Sequence, residues 1–296
     1  MSSARKPLDA QAVALMVLLC LVWGLSQVAT KTASEGISPL TQAAIRSVVA
    51  TVLLLGWAAW RGIALFGRDG TLGPGVLAGV LFGAEFVFIF LGLGWTDAAR
   101  MVVFIYLAPC FTAVGLAWFV PGERLNGRQW AGVLTAFGGL LLAFADAFTS
   151  ERATLAGDLC GLAACVFWAA TTVLVRATKL SSISAAKTLF YQLAVSAVVL
   201  AVLALALREP GVTRLTPAVI VSLAYQCVIV AFASFLAWFW LLTRYLASRL
   251  SVFTFLTPLF GVAAGALMLN EPVTAAFLGA ALLVGAGIFL VNYPGR

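Results

Sequence analysis

Ten long hydrophobic stretches follow one another along the chain, and the landmarks of the first five recur in order in the second five. A hydrocarbon core about 30 Å thick needs about 20 apolar residues per helix, so each stretch can cross a bilayer. Five is odd, and a unit with an odd number of crossings that is repeated once enters the membrane in opposite orientations. The chain is therefore predicted to be all-α and membrane-integral, with ten transmembrane helices in two inverted five-helix repeats.

The composition leaves little of the chain for a water-soluble domain. Of 296 residues, 63% are hydrophobic and 10% are charged, whereas about 25% of residues in soluble domains are charged. The stretches span residues 10–30, 40–60, 74–95, 99–119, 129–146, 156–178, 184–207, 216–243, 248–269 and 274–292. The first is too long and too rich in tryptophan for a cleavable signal peptide, so it is predicted to be the first membrane helix. The two repeats are predicted to cover residues 1–148 and 149–296.

Basic residues are unevenly shared between the two sides of the predicted membrane domain. The side of the N-terminus carries twelve of the eighteen: Arg5, Lys6, Arg61, Arg68, Arg124, Arg128, Arg176, Lys179, Lys187, Arg244, Arg249 and Arg296. The other side carries six: Lys31, Arg46, Arg100, Arg152, Arg208 and Arg214. An excess of Lys and Arg marks the cytoplasmic face. Both termini are therefore predicted to be cytoplasmic, in a bacterial-type inner membrane, and no concentrated basic patch indicates a nucleic-acid partner.

Spacing as well as hydropathy recurs in the second half. Trp23 precedes Lys31 by eight residues, Trp168 precedes Arg176 by eight, Arg100 precedes Pro109 by nine and Arg249 precedes Pro258 by nine. Acidic turns at Glu123 and Glu271 follow, and then glycines six apart, Gly132 with Gly138 and Gly279 with Gly285. This order resembles the drug/metabolite transporter superfamily, specifically its ten-helix EamA-type members, over almost the entire chain.

The resemblance implies a fold, a transport mechanism and a substrate class. It implies a central cavity lined mainly by the first, third, fourth, sixth, eighth and ninth helices, with the fifth and tenth at the periphery. The whole sequence is most similar to the bacterial aromatic and neutral amino-acid exporters, the YddG-like group. A secondary transporter that exports amino acids by alternating access is therefore expected, with a small-molecule substrate and the lipid bilayer as its partners. A complete inverted repeat in one chain needs no second subunit, so a monomer is compatible.

Catalytic and cofactor motifs are missing from the sequence. It contains no histidine, which removes the commonest general base, and no GxSxG, HExxH or P-loop pattern. The five cysteines all fall inside apolar stretches without a CxxC pair, so they are interpreted as small hydrophobic side chains. The sequence therefore predicts no enzyme, no cofactor and no metal site, and a gradient must supply the energy for transport.

Glu85 is the leading candidate for the substrate site, because it lies halfway along the third stretch. A carboxylate at the bilayer centre costs about 3 kcal/mol, so it is expected to face a cavity or a partner. It either binds the amine of a substrate or ties two helices together by hydrogen bonds. Helical spacing places Phe82 and Phe88 beside it as a predicted aromatic wall.

Tryptophans usually lie at membrane interfaces, but Trp23 and Trp168 lie midway along the first and sixth stretches. Their symmetric recurrence favours a role in lining the cavity, where an indole can stack on a substrate or donate a hydrogen bond. Further substrate-binding candidates are aromatic or polar residues of the fourth, seventh and eighth stretches: Tyr106, Tyr191, Gln192, Ser234 and Phe235. Ser234 is the repeat-equivalent of Glu85, so the site is expected to be acidic on one side only.

Two prolines fall inside predicted membrane helices. Pro109 and Pro258 remove a backbone hydrogen bond and are expected to kink the fourth and ninth helices. These positions are either hinges for alternating access or static kinks. Arg46 is expected to extend to the nearer membrane edge. Lys31 and Arg176 are expected at the interfaces. The alternative is that one of these basic residues meets a substrate carboxylate.

Two transport functions remain open from the sequence. A cavity rich in aromatic residues with one acid fits an amphipathic amine with an apolar side chain, which favours amino acids. The alternative is a multidrug exporter of hydrophobic cations that is coupled to protons through Glu85. Lipophilic cations would compete in a pH-dependent way in the second case, and a substrate carboxylate would be irrelevant.

Overall fold

The structure, a computed structural model, describes residues 8–148, 154–269 and 275–293. Within these ranges, ten long helical segments follow in chain order: α1 (Ala10–Ala33), α2 (Pro39–Trp60), α3 (Leu72–Leu93), α4 (Ala98–Phe119), α5 (Gly127–Ala143), α6 (Leu155–Ala177), α7 (Ala185–Ala206), α8 (Pro217–Arg244), α9 (Ala247–Phe253 and Leu256–Leu269) and α10 (Ala275–Asn292). Each segment begins and ends within three residues of its predicted stretch. The residues Arg5, Lys6, Arg152, Glu271 and Arg296, named in the sequence analysis, lie outside the described residues.

Length and hydropathy make the helices suitable for a membrane. Within the described ranges, eight segments, α1 to α4 and α6 to α9, are long and apolar enough to cross a bilayer. The remaining two, α5 and α10, have 17 and 18 residues. Large apolar side chains cover the outside, as shown by Leu205 and Leu282, which are 79% and 76% exposed. Such a surface requires lipid around it, so the chain is a multi-pass membrane protein.

Local sequence explains where the helices begin. Pro39 and Pro217 occupy the first turns of α2 and α8, where a proline loses no helical hydrogen bond. Asn126 forms a capping box with Gln129 at the start of α5, and Thr154 caps α6 through the backbone N–H of Gly157.

Among the residues that the structure describes, three helices depart from regular α geometry inside the membrane domain. α4 is interrupted at Tyr106 and Leu107, just before Pro109, and α9 is interrupted at Thr254 and Phe255, just before Pro258. Both helices are thus interrupted just before the predicted prolines, at corresponding positions of the two halves. In α8, residues Gln226–Ser234 form a π-helix. This irregular segment lies within the 28 residues of α8, which are more than one crossing of a bilayer needs.

The principal contacts between helices follow a regular pattern. α5 packs on α10 and α2 packs on α7; the other main pairs are α1 with α8 and α9, α6 with α3 and α4, α3 with α7, and α2 with α8. Exchanging each helix for the one five positions away maps this set of pairs onto itself. The first and second halves therefore make corresponding contacts.

Glycines allow α5 and α10 to approach closely. An added side chain at Gly132 would meet the backbone of Gly287 and Val291, and one at Gly287 would meet Gly132 and Ala136. Open space surrounds Gly138 and Gly285, so only part of the predicted glycine pattern serves packing. Small residues at such an interface bring two helix backbones together in lipid.

The variant Gly132→Val is expected to destabilise the protein, since the obstructing atoms belong to the backbone of α10. Overpacking of this kind costs about 1–3 kcal/mol. Thermal unfolding in detergent, followed by tryptophan fluorescence, should show a midpoint lower by several degrees, whereas Gly138→Val on the same helix should leave it within about one degree. Equal effects of the two variants would contradict this packing.

Candidate functional site

Glu85 lies deep inside the helical domain, as predicted. It is the fourteenth of the 22 residues of α3 and is 8% exposed. At a rise of 1.5 Å per residue, it lies about 20 Å from the start of the helix and about 12 Å from its end. Arg46, Tyr106 and Cys165 lie within electrostatic range of its carboxyl group. Glu85 is therefore a polar centre that α2, α4 and α6 share with α3.

An aromatic cluster occupies one side of Glu85. It is called the Trp23 cluster here and consists of Trp23, Phe82, Phe86, Phe235 and Trp238. Phe82 packs edge-on against Phe86 at 5.2 Å and against Phe235 at 5.8 Å, and Trp23 contacts Phe235 at 6.4 Å and Trp238 at 5.9 Å between ring centroids. The cluster brings together three of the sequence-predicted site residues from α1, α3 and α8.

The indole of Trp23 is held by a polar residue of the same group. Its Nε1 donates a hydrogen bond of 2.8 Å to the hydroxyl oxygen of Ser234, which itself donates to the carbonyl of Val230. The predicted pseudo-symmetric pair of Glu85 and Ser234 thus differs in function, because Ser234 positions a tryptophan. The N–H of Trp23 is already used, which leaves its ring face for a substrate.

A second aromatic cluster lies on the other side of Glu85. It is called the Trp168 cluster and consists of Phe88, Tyr106, Phe167 and Trp168. Tyr106 meets Trp168 edge-on at 5.5 Å, and Phe88 stacks on Phe167 at 5.4 Å. Phe82 and Phe88 therefore flank Glu85 from two clusters, whereas the sequence predicted one wall.

Arg46 does not extend to the membrane edge, contrary to the first expectation. It is the eighth of 22 residues in α2, it is 7% exposed, and its guanidinium lies over the ring of Phe86 at 4.3 Å. This stacking connects a buried cation to the Trp23 cluster. The only indication of this buried location in the sequence was a charged residue within an otherwise apolar stretch.

Two further predicted site residues belong to α7, and one of them, Tyr191, lies apart from Glu85. Tyr191 packs against Gly75 and shares a hydrogen bond of 3.1 Å with Thr71, near the start of α3. Gly75 is ten residues from Glu85, which is about 15 Å along the helix. Gln192 is buried in α7 one turn before Ser196, whose hydroxyl bonds Ser47 of α2. Two surface cavities of about 410 and 330 Å³ border none of the predicted substrate residues.

A buried ionic network joins the two halves of the chain at the end of the domain that carries most of the basic residues. This end is called the basic end. The network is called the Glu123 network and consists of Glu123, Arg176, Leu242, Ala247 and Ser248. Arg176 binds Glu123 through Nε at 3.0 Å and through Nη2, and its Nη1 donates to the carbonyl of Leu242. Glu123 also accepts from the backbone N–H groups of Ala247 and Ser248 and from the Ser248 hydroxyl.

Arg176 is the second-to-last residue of α6 and so lies at the end of that helix, and the Glu123 network buries it, since the side chains of Arg176 and Glu123 are only 2% and 1% exposed. Two landmarks of the repeats, the basic residue after the tryptophan and the acidic turn, are partners in space. The recurrence of these landmarks in both halves was the only sequence signal for their importance, and a single sequence does not show which landmarks are in contact.

Further contacts join the halves at both ends of the domain. At the basic end Lys187 binds Asp69 at 2.7 Å, and the hydrogen bonds from Lys187 and Thr71 hold the pKa of Asp69 well below its usual range. At the opposite end Glu209 accepts hydrogen bonds at the start of α2. Burial opposes ionisation there, but these bonds from Ser38, Leu40 and Thr41 lower the pKa of Glu209.

The chain matches the model of the EamA-like transporter family twice, over residues 10–145 and 155–293. It is 27% identical over 286 residues to the probable amino-acid metabolite efflux pump of Escherichia coli strain K12, with 93% of each chain covered. It is 26% identical to the protein of the same name from Salmonella typhimurium, again with 93% of each chain covered.

A solved crystal structure shares the fold of this chain. It superposes with a TM-score of 0.82 and covers 96% of both chains, at 18% sequence identity. At this identity the likeness concerns the arrangement of helices and not the substrate.

Proposed function

The chain belongs to the EamA-like transporter family, and we propose that it exports amino acids, preferably aromatic and other neutral ones, by alternating access. As a member of this family it is a transporter and not an enzyme, with a small-molecule substrate and the bilayer as its surroundings. Two relatives that carry the name of amino-acid metabolite efflux pumps support the substrate class. Bacterial relatives of this kind favour an inner membrane, with both termini in the cytoplasm as the basic residues predict.

One observation carries the proposal: a buried carboxyl group between two aromatic clusters in the middle of the domain. Glu85 can hold an ammonium group, and the clusters around Trp23 and Trp168 can hold an apolar or aromatic side chain. An amino acid carries both groups on one carbon atom. The ammonium group of the substrate then meets Glu85 on α3, and its side chain meets aromatic rings of α1, α3, α6 and α8.

Ten membrane helices in two inverted repeats, residues 1–148 and 149–296, give the mechanism. The set of packed helix pairs, which maps onto itself when helices five apart are exchanged, supports this arrangement. So do the two family matches, one in each half. Contacts between the halves at both ends support a motion in which one end opens while the other stays joined. The interruptions before Pro109 and Pro258 are the proposed hinges, because helix hydrogen bonds are already missing there.

Counterflow in proteoliposomes tests the proposal. Vesicles that contain the purified protein and are loaded with unlabelled phenylalanine should accumulate labelled phenylalanine in a saturable manner and well above vesicles without protein. Labelled threonine reports on smaller neutral substrates, and a lipophilic cation serves as the competing substrate class. Flux of the cation without flux of either amino acid would contradict the proposal and favour drug export.

A further inference from the structure

Arg46 has a hydrogen-bonding capacity that the protein leaves unused. Its Nε and Nη2 atoms are buried and have no hydrogen-bond partner. Among the ion pairs formed within the described ranges, none joins Arg46 to Glu85, although the two charges are in electrostatic range. Leaving a buried charged donor unpaired is costly, so an acceptor is expected to reach this position during the working cycle.

The unused atoms form one edge of the guanidinium group. Nε and Nη2 point in the same direction and match the two oxygens of a carboxylate. The same chain contains this arrangement elsewhere: Arg100 binds Asp158 through Nε at 2.6 Å and through Nη2 at 2.7 Å. The ring of Phe86 supports the flat face of Arg46 at 4.3 Å, and this support leaves the edge available.

We propose that Arg46 binds the α-carboxylate of the substrate while Glu85 binds its α-ammonium group. This inference rests on the proposed function and narrows it to zwitterionic α-amino acids. Arg46 lies on α2, and its guanidinium lies over the ring of Phe86, the residue that follows Glu85 on α3. The substrate side chain then packs on the Trp23 cluster, which continues from Phe86 through Phe82 to Phe235. A hydrophobic cation gains nothing from Arg46, because the two positive charges repel each other.

Comparing substrates with and without a carboxylate tests the inference. Affinities of phenylalanine and of phenylalaninamide, which lacks the carboxylate, are measured by inhibition of labelled phenylalanine counterflow and by substrate-induced thermal stabilisation in detergent. The unaltered protein should bind phenylalanine at least about tenfold more tightly than the amide, as expected for a charge-assisted bidentate contact. Arg46→Gln should lower the affinity for phenylalanine about 10- to 100-fold. Its affinity for the amide should stay within about threefold of that of the unaltered protein, so the preference for the carboxylate disappears.

Two further variants separate binding from folding. Arg46→Lys keeps the charge without the bidentate edge, so its affinity for phenylalanine should lie between those of the unaltered protein and Arg46→Gln. Arg61→Gln, at an arginine that is exposed beside Trp60, should change neither affinity. Equal losses for both ligands, or a protein without preference for the carboxylate before any substitution, would overturn the assignment while amino-acid transport itself stands. Absence of any amino-acid binding by the unaltered protein would overturn the proposed function and this inference together.

Discussion

Replacing Glu123 by glutamine is expected to be among the most destabilising single changes in this chain. The carboxylate is 1% exposed and accepts hydrogen bonds from Arg176 and from the start of α9. Glutamine removes the charge and leaves the guanidinium of Arg176 buried without a counter-ion, which costs about 3–5 kcal/mol. The side-chain amide nitrogen of the glutamine would also face the backbone N–H groups of Ala247 and Ser248, so one hydrogen-bond donor would stand against another. The thermal unfolding midpoint in detergent should fall by roughly 10 °C.

A double-mutant cycle supplies the control for Glu123→Gln. The variant Glu123→Gln/Arg176→Gln removes both charges, and it should recover a substantial part of the stability, because the uncompensated cation is gone. Glu35→Gln, at an exposed glutamate, should change nothing. Additive losses in the double variant would mean that the two residues stabilise the fold independently.

The same variant reports on the motion of the two halves. Glu123 belongs to the connection between α4 and α5, whereas its partners belong to α6 and α9. If the basic end opens during transport, these bonds must break, and weakening them should raise the share of molecules open at this end. Thr172, one turn before Arg176, is 5% exposed. A cysteine at Thr172, in a background without other cysteines, should react faster with an impermeant maleimide when Glu123 is replaced.

The sequence predicted the helices well, because hydrophobic length is a strong signal in a membrane protein. Every segment agreed within three residues, and the interruptions before Pro109 and Pro258 followed from the missing backbone donor. The π-helix at Gln226–Ser234 was not predicted, since no composition marks the change from one hydrogen-bond period to the other. Only the surplus length of the eighth stretch indicated an irregularity.

The candidate site was predicted less completely than the helices. Glu85 and the midway tryptophans are unusual in an apolar helix, so each attracted attention on its own. Contacts across the domain depend on how helices are rotated, and a single sequence does not state this rotation. For this reason Tyr191 was grouped with Glu85 although it lies near Thr71, and Arg46 was expected at the membrane edge although it stacks on Phe86. The ion pair of Arg176 with Glu123 was missed for the same reason.

Replacing Glu85 by glutamine should abolish most transport while the protein stays folded. Glutamine has nearly the same shape, so the packing of α3 between the two aromatic clusters is kept. It cannot neutralise a substrate ammonium group, and the loss of a charge-assisted contact in a buried site should lower kcat/KM for phenylalanine about 10- to 100-fold. Initial rates of labelled phenylalanine counterflow measure the effect. Glu85→Asp should keep part of the transport activity, because the charge remains on a side chain that is one methylene shorter.

Controls decide whether such a loss belongs to the substrate or to the fold. The unfolding midpoint of Glu85→Gln should stay within a few degrees of the unaltered protein, and Glu35→Gln should transport at the normal rate. A helix-tying role for Glu85 would appear as a lower midpoint with flux that recovers at lower temperature. Normal flux in Glu85→Gln would remove Glu85 from the substrate site, and the ammonium group would then have to be held by the ring faces of the two clusters alone.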